Sequence, residues 1–235
     1  VETESKMDTK LKISAETFGI KLHNFGHNKK WQGYFTKNSE YINELSKLKE
    51  KYTHVLGVDA RDVLFMDGLD SILKEYNEYY QNKLVFNGED CDGLGASYDK
   101  ALTTEREKYI NYRPSLPYKS TGKYKYLNSG CFIGPIDTLI HSMEKAFKYK
   151  DKWGNNVDNG PMEEVYMESH NIVVDEKCRI FQILSDNEVG GVNFDLIYKK
   201  GKPYNRRYET NPKILHGAGH SLMVQPWRIL TGNYY

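Results

Sequence analysis

Thr53-His54-Val55-Leu56-Gly57-Val58-Asp59-Ala60-Arg61-Asp62-Val63-Leu64-Phe65 is an apolar run that ends in two carboxylates three residues apart and then turns apolar again. A strand buried in a sheet ends in charge only where it reaches the sheet edge, because an unpaired buried carboxylate is costly. Read as a central strand, residues 53–58 deliver Asp59 and Asp62 to the C-terminal end, where open α/β sheets gather their ligands. Two carboxylates there repel each other unless a proton or a cation lies between them, and a divalent metal is a suitable cation. A solvated turn with two ordinary carboxylates fits the same residues. On this stretch alone both readings stand.

Upstream, Ser5 can cap a helix over 6–18, with Met7, Leu11, Ala15 and Phe18 on one stripe and Gly19 as its stop. Residues 20–25 alternate as a strand does. A helix so early needs a strand to pack on, so Val1-Glu2-Thr3 is expected to be the end of a truncated first strand, with Thr3 at the ligand edge. Trp31 follows a polar loop and is either an anchor or a stacking surface. A second helix is expected over 36–51, with Tyr41, Ile42, Leu45 and Leu48 inward. Lys37 at its start is one lysine among many. The resulting order of strand, helix, strand, helix, strand predicts a βαβαβ half with layers on both sheet faces.

Downstream, Asp70 can cap a helix over 71–80, and residues 83–87 read as a strand ending in acid at Gly88-Glu89-Asp90, which is either a polar loop or more carboxylates at the same sheet edge, with a short helix candidate over 104–112 beyond. In Tyr126-Leu127-Asn128-Ser129-Gly130-Cys131-Phe132-Ile133-Gly134, two glycines bracket an apolar strand. Asn128 and Ser129 precede Gly130, where a missing Cβ lets backbone come close to a ligand. Those side chains suit a sugar, and they are equally common turn formers. Helices are expected over 135–149 and 162–169, strands over 171–175 and 179–184. Asp158 stands ahead of the second of these helices, placed to act at a cleft or to cap. His216 ends an apolar pair before Gly217. An imidazole there can complete a mixed oxygen and nitrogen metal site, or be an ordinary surface histidine.

Composition narrows the classes. The chain has 235 residues with 33 Lys+Arg against 32 Asp+Glu, and a net charge of +1 gives no electrostatic footprint for nucleic acid. No apolar run reaches the length of a membrane span. Three cysteines, Cys91, Cys131 and Cys178, lack zinc spacing and cannot all pair with one another. No G-x-G-x-x-G and no G-x-x-x-x-G-K is present, so a bound diphosphate would need its charge met otherwise.

Five segments taken together resemble the glycosyltransferase domain of the procollagen lysyl hydroxylase family, including viral relatives that glycosylate collagen-like proteins. They are Val1-Glu2-Thr3, Val58–Phe65, Tyr126–Gly134, Cys178-Arg179-Ile180-Phe181-Gln182 and Leu215-His216-Gly217-Ala218-Gly219, in the family's order and across essentially the whole chain. The resemblance implies an α/β protein of GT-A type, with a Rossmann-like, mostly parallel sheet covered by helices on both faces. It implies a single domain over 1–235, with residues 1–87 as the nucleotide-binding half and 88–235 as the acceptor-side half.

The same resemblance implies a metal-dependent transfer of glucose or galactose from a UDP-sugar to hydroxylysine or galactosyl-hydroxylysine of a collagen-like polypeptide. Asp59, Asp62 and His216 map onto the family's ligands for the metal, typically Mn²⁺. Thr3, Trp31 and Lys37 map onto the donor site, Asn128, Ser129 and Gly130 onto the sugar's surroundings, and Gly217 onto the cofactor-binding His-Gly segment. Lys37 also adds a cation for the leaving group. The family's acidic segment ending in Asp-Gln reads Asn155-Asn156-Val157-Asp158-Asn159-Gly160-Pro161 here, leaving Asp158 as its single carboxylate and candidate catalytic group. Arg61 places a cation between the two aspartates. A non-catalytic nucleotide-sugar or collagen-binding module and a nucleotide-sugar hydrolase are the alternatives. A cellular protein of this kind would belong to the secretory pathway or endoplasmic reticulum, a viral one to the host cell or virion.

Overall fold

The computed structural model describes residues 9–26, 29–90, 117–118, 120–154, 159–184, 193, 195–217 and 224–232. Its elements begin with α1 (Thr9–Thr17), α2 (Phe35–Leu48), β1 (His54–Val58), β2 (Val63–Phe65), α3 (Leu69–Tyr79), β3 (Leu84–Glu89) and β4 (Tyr126–Pro135). They continue with α4 (Ile136–Ala146), a 3₁₀ turn (Phe147–Tyr149), α5 (Lys150–Trp153), α6 (Asn159–Glu168), β5 (Ile172–Asp175) and β6 (Phe181–Ile183). A hairpin of β7 (Leu196–Lys199) and β8 (Lys202–Asn205), then β9 (Ile214–His216) and α7 (Val224–Thr231), complete the described chain.

One sheet has the order β1-β4-β3-β5 and a second the order β2-β9-β6. In the first, β4 is antiparallel to both β1 and β3, while β3 and β5 are parallel. Three of its four strands therefore share a direction and β4 runs reversed between two of them, so the sheet is mixed where a mostly parallel one was expected. Just past β4, Ile136 donates its N–H to Thr53 O at 3.0 Å, which carries the antiparallel β1–β4 pairing one step further.

Side chains alternate across the sheet and bury both faces. Leu84, Phe86 and Phe132 meet Tyr41 and Leu45 of α2, Leu139 and Met143 of α4, and Met162 and Val165 of α6. On the opposite face Val85, Cys131 and Ile133 meet Leu11 and Ala15 of α1 and Ile72 and Tyr76 of α3. Helices on both faces are thus what the period-2 burial of these strands requires.

Several local expectations are corrected. Residues 20–25 form no strand: Ile20 donates its N–H back to Ala15 O at 2.8 Å, closing the end of α1, where Gly19 takes φ +68°. Alternation makes a strand only beside an edge that can pair with it, and no described strand lies there. Glu89 is the last residue of β3 and buried, not part of a polar loop. Asp70 lies in the first turn of α3, whose N-cap is Gly68. The expected strand at Val1–Thr3 and the helix expected over 104–112 lie outside the described residues.

The β3–β4 ladder carries the irregularity that shapes the site. Phe86 pairs with Phe132, but the next residue, Asn87, pairs with Asn128. Ser129, Gly130 and Cys131 are thus extra residues on β4 relative to β3, a bulge that re-aims neighbouring side chains.

Candidate active site

Two strand registers create the site. β1 pairs with β4 so that Val58 lies opposite Cys131, which brings the next residue, Asp59, up to Gly130. β2 pairs with β9 so that Val63 lies opposite His216, and Gly217 donates its N–H to Asp62 O at 2.7 Å. His216 is therefore held beside Asp62 by backbone pairing, although the two are far apart in sequence. The oxygens and nitrogens that Asp59, Asp62 and His216 can offer to a metal all lie within 4.8 Å of one another. His216 Nε2 is 3.7 Å from Asp62 Oδ1 and 3.9 Å from Asp59 Oδ2.

Charge in the cluster is balanced internally. Lys37, in the first turn of α2 and buried, places Nζ 3.4 Å from Asp59 Oδ1. Burial disfavours an ionised Asp62, but the adjacent His216 outweighs it and holds the carboxyl below its usual range. Burial likewise opposes charge on His216, yet Cys131 and Asp62 beside it raise the imidazole well above its ordinary value. Burial keeps the Cys131 thiol protonated, so the Asp62 carboxylate is the partner that supplies negative charge. Protonated His216 and Lys37 then neutralise two carboxylates that could not otherwise share this space.

The surroundings fit a divalent cation. Separations of 3.7 and 3.9 Å are too long for direct hydrogen bonds. They match ligands each about 2.1 Å from one shared ion. Two carboxylates and one imidazole are a donor set for a borderline-to-hard metal such as Mn²⁺. Gly130 leaves the space open: a Cβ there would stand 2.3 Å from His216 Cε1 and 2.7 Å from Asp59 Oδ2.

The other candidates are spread around this centre. Asn128 donates from Nδ2 to Glu89 Oε1 at 3.3 Å and accepts the Gly130 N–H at 2.9 Å, bracing the bulge. Ser129 donates its N–H and hydroxyl to Asn159 Oδ1 at 2.9 and 3.0 Å, tying the bulge to the first residue of α6. Gly217 uses its N–H on Asp62 O, so that donor does not face a ligand. Trp31 is 45% exposed on the loop entering α2, with its ring edge-on to Tyr34 at 5.6 Å. Arg61 is exposed, and Lys37 is a cation beside Asp59. Thr3 and Asp158 lie outside the described residues. Sequence reasoning passed over Asn87 and Asn159, and read Glu89 as a loop residue or a strand-end carboxylate. Asn87 and Glu89 carried a signal, as polar residues continuing an apolar strand.

Comparison with known proteins gives the family. The family profile for the PLOD GT domain matches residues 2–226. The chain belongs to that family of glycosyltransferase domains. It is 31% identical over 232 residues to the multifunctional procollagen lysine hydroxylase and glycosyltransferase of Caenorhabditis elegans, covering 90% of this chain and 28% of that protein. It is 30% identical over 242 residues to procollagen-lysine,2-oxoglutarate 5-dioxygenase 2 of Mus musculus, covering 94% and 29%. A protein of Acanthamoeba polyphaga mimivirus is 30% identical over 203 residues, covering 83% and 39%. This PLOD GT domain thus spans well under half the length of these curated relatives. Among solved structures, mouse xyloside xylosyltransferase 1 in its apo form superposes with a TM-score of 0.47 at 12% identity, covering 91% of this chain and 72% of that one.

Proposed function

We propose that this PLOD GT domain is a metal-dependent glycosyltransferase of GT-A type. It moves glucose or galactose from a UDP-sugar to hydroxylysine or galactosyl-hydroxylysine of a collagen-like polypeptide. The observation that carries the reading is the convergence of Asp59, Asp62 and His216 from two distant chain segments onto one small volume kept clear by Gly130. Family membership and the names of the relatives support the reaction class and the collagen-like acceptor.

In this reading Asp59, Asp62 and His216 hold Mn²⁺ or a similar ion. Such an ion, when bound, supplies Lewis-acid neutralisation of the diphosphate leaving group. Lys37 adds a second positive charge beside Asp59 and turns toward the diphosphate once the donor arrives. Trp31 offers an exposed aromatic face for the uracil, and Thr3 contacts the uridine. Asn128, Ser129, Gly130 and Gly217 form the wall against the sugar. Asp158, next to Asn159 at the start of α6, orients the acceptor hydroxyl. The hydroxyl oxygen bonds to the anomeric carbon as the bond from that carbon to the UDP oxygen breaks, and the hydroxyl proton is released.

UDP binding tests the assignment. Titration calorimetry should show UDP affinity that depends on added Mn²⁺, disappears on chelation and is lost in the D59A/D62A double variant. Equal UDP affinity with and without chelator, unchanged in that variant, would overturn it.

A further inference from the structure

Asn87 is an amide at the end of an otherwise apolar run, Leu84-Val85-Phe86, in β3, and it is completely buried. A buried amide requires partners for both ends. Asn87 Nδ2 lies 3.1 Å from His216 Nδ1, on the side of the ring away from Asp59 and Asp62. Among the described residues Asn87 Oδ1 has no hydrogen-bond partner. Asn87 is also the residue at which the β3–β4 register shifts, so the bulge that puts Gly130 against His216 Cε1 starts opposite it. The imidazole is thus held at Nδ1 by Asn87 and at its Cε1 edge by Gly130, with Nε2 turned to the carboxylates.

An imidazole can give an Nε2 lone pair to a cation while neutral only if its proton sits on Nδ1, and the acceptor for that proton selects the tautomer. A half-turn of the Asn87 amide exchanges its oxygen and nitrogen ends. With oxygen toward the ring, the unpartnered Oδ1 accepts Nδ1–H. With nitrogen toward the ring, Nδ2–H needs a bare Nδ1, which neither protonated His216 nor the Nδ1–H tautomer offers. We infer that Asn87 is a positioning residue: with its amide oxygen toward the ring it accepts Nδ1–H and sets the His216 tautomer that can hold a divalent cation. The inference rests on the metal reading of Asp59, Asp62 and His216.

The test is Mn²⁺ titration of the whole chain by electron paramagnetic resonance, with a thermal melt on each variant. Asn87→Leu keeps the volume and removes the acceptor, and should weaken Mn²⁺ binding roughly 10- to 100-fold. Asn87→Asp keeps an acceptor for Nδ1–H, and should bind Mn²⁺ within about threefold of wild type, since a carboxylate fills the same orienting role. Should Asn87→Leu fail to fold, Asn87→Ala takes its place in the comparison. Mn²⁺ affinity in the Leu or Ala variant equal to wild type, or an Asp variant as weak as the Leu variant, overturns the role of Asn87. His216→Ala separates the two claims. If it abolishes Mn²⁺ binding while Asn87→Leu does not change it, only the tautomer assignment fails. If His216→Ala binds Mn²⁺ as wild type does, the metal reading fails and takes the Asn87 assignment with it.

Discussion

A Cβ added to Gly130 would lie 2.3 Å from His216 Cε1. Both sides of that contact are fixed: Gly130 by the β4 bulge opposite Asp59, His216 by its pairing with Val63. Neither can retreat without breaking a ladder. Gly130→Ala should therefore push the imidazole off the carboxylates and weaken Mn²⁺ binding by roughly 10- to 100-fold, the range seen when ligand orientation is lost. The measurement is a Mn²⁺ titration beside a thermal melt. A folded variant with wild-type affinity would show that this contact does not shape the site.

Lys37 and a bound metal compete for Asp59. Nζ is 3.4 Å from Asp59 Oδ1 in a pair where the lysine is buried and the aspartate is about one-third exposed. Lys37→Met removes the competing cation and the charge intended for the diphosphate. Mn²⁺ affinity should hold or rise, whereas UDP affinity at saturating Mn²⁺ should fall by about tenfold, the cost of one charge-assisted hydrogen bond of about 1.5 kcal/mol. Parallel loss of both affinities would mean that Lys37 only holds the apo site together.

Trp31 offers the opposite profile. At 45% exposure its indole supports little of the core, so Trp31→Ala should leave the melting temperature nearly unchanged. Loss of base stacking should cost UDP roughly tenfold in affinity, since one base on an aromatic ring is worth about 1–3 kcal/mol. Calorimetry with UDP and with Mn²⁺-pyrophosphate, which lacks the base, checks this. An equal loss for both ligands would exclude stacking.

Asp195 predicts the acid limit of stability. Its carboxylate accepts from Arg207 Nε at 2.9 Å and Tyr124 OH at 3.1 Å, and pairs with Lys123 Nζ at 3.0 Å. Burial works against its charge, but Arg207 and Lys123 outweigh that and hold its pKa below the usual range. A group with a depressed folded pKa stabilises the fold above its unfolded pKa, about 3.9 for Asp. That contribution is lost as pH falls from there through the folded value. Melting temperatures between neutral pH and about pH 3 should drop below about pH 4 in wild type. Asp195→Asn should be less stable near neutrality and flatter in acid. Curves that stay parallel would assign the acid loss to other groups.

Much of the fold was legible because it is written in local patterns. The apolar run ending at Asp59 reads as a strand in sequence and is β1 in the structure, and the stop at Gly19 is where α1 ends. The meeting of His216 with Asp62 was reachable only through the family resemblance, since the β2–β9 register that causes it is a pairing between distant segments. The bulge at Ser129–Cys131 and the burial of Asn87 were not legible, because a register shift is decided by two strands together. Residues 20–25 show the converse error, a strand pattern with no edge to join. By its residues alone Lys37 was one lysine among many; the family resemblance singled it out, and the fold sets it beside Asp59.

The most direct measurement is transfer of labelled glucose or galactose from the UDP-sugar to hydroxylysine and galactosyl-hydroxylysine peptides, in wild type and D59A/D62A. The account predicts sugar on the peptide, dependence on Mn²⁺, loss on chelation, and none in the double variant. Release of UDP that no acceptor accelerates would instead indicate a hydrolase. UDP-sugar binding without turnover on any acceptor would indicate a non-catalytic module, and either result would contradict the account.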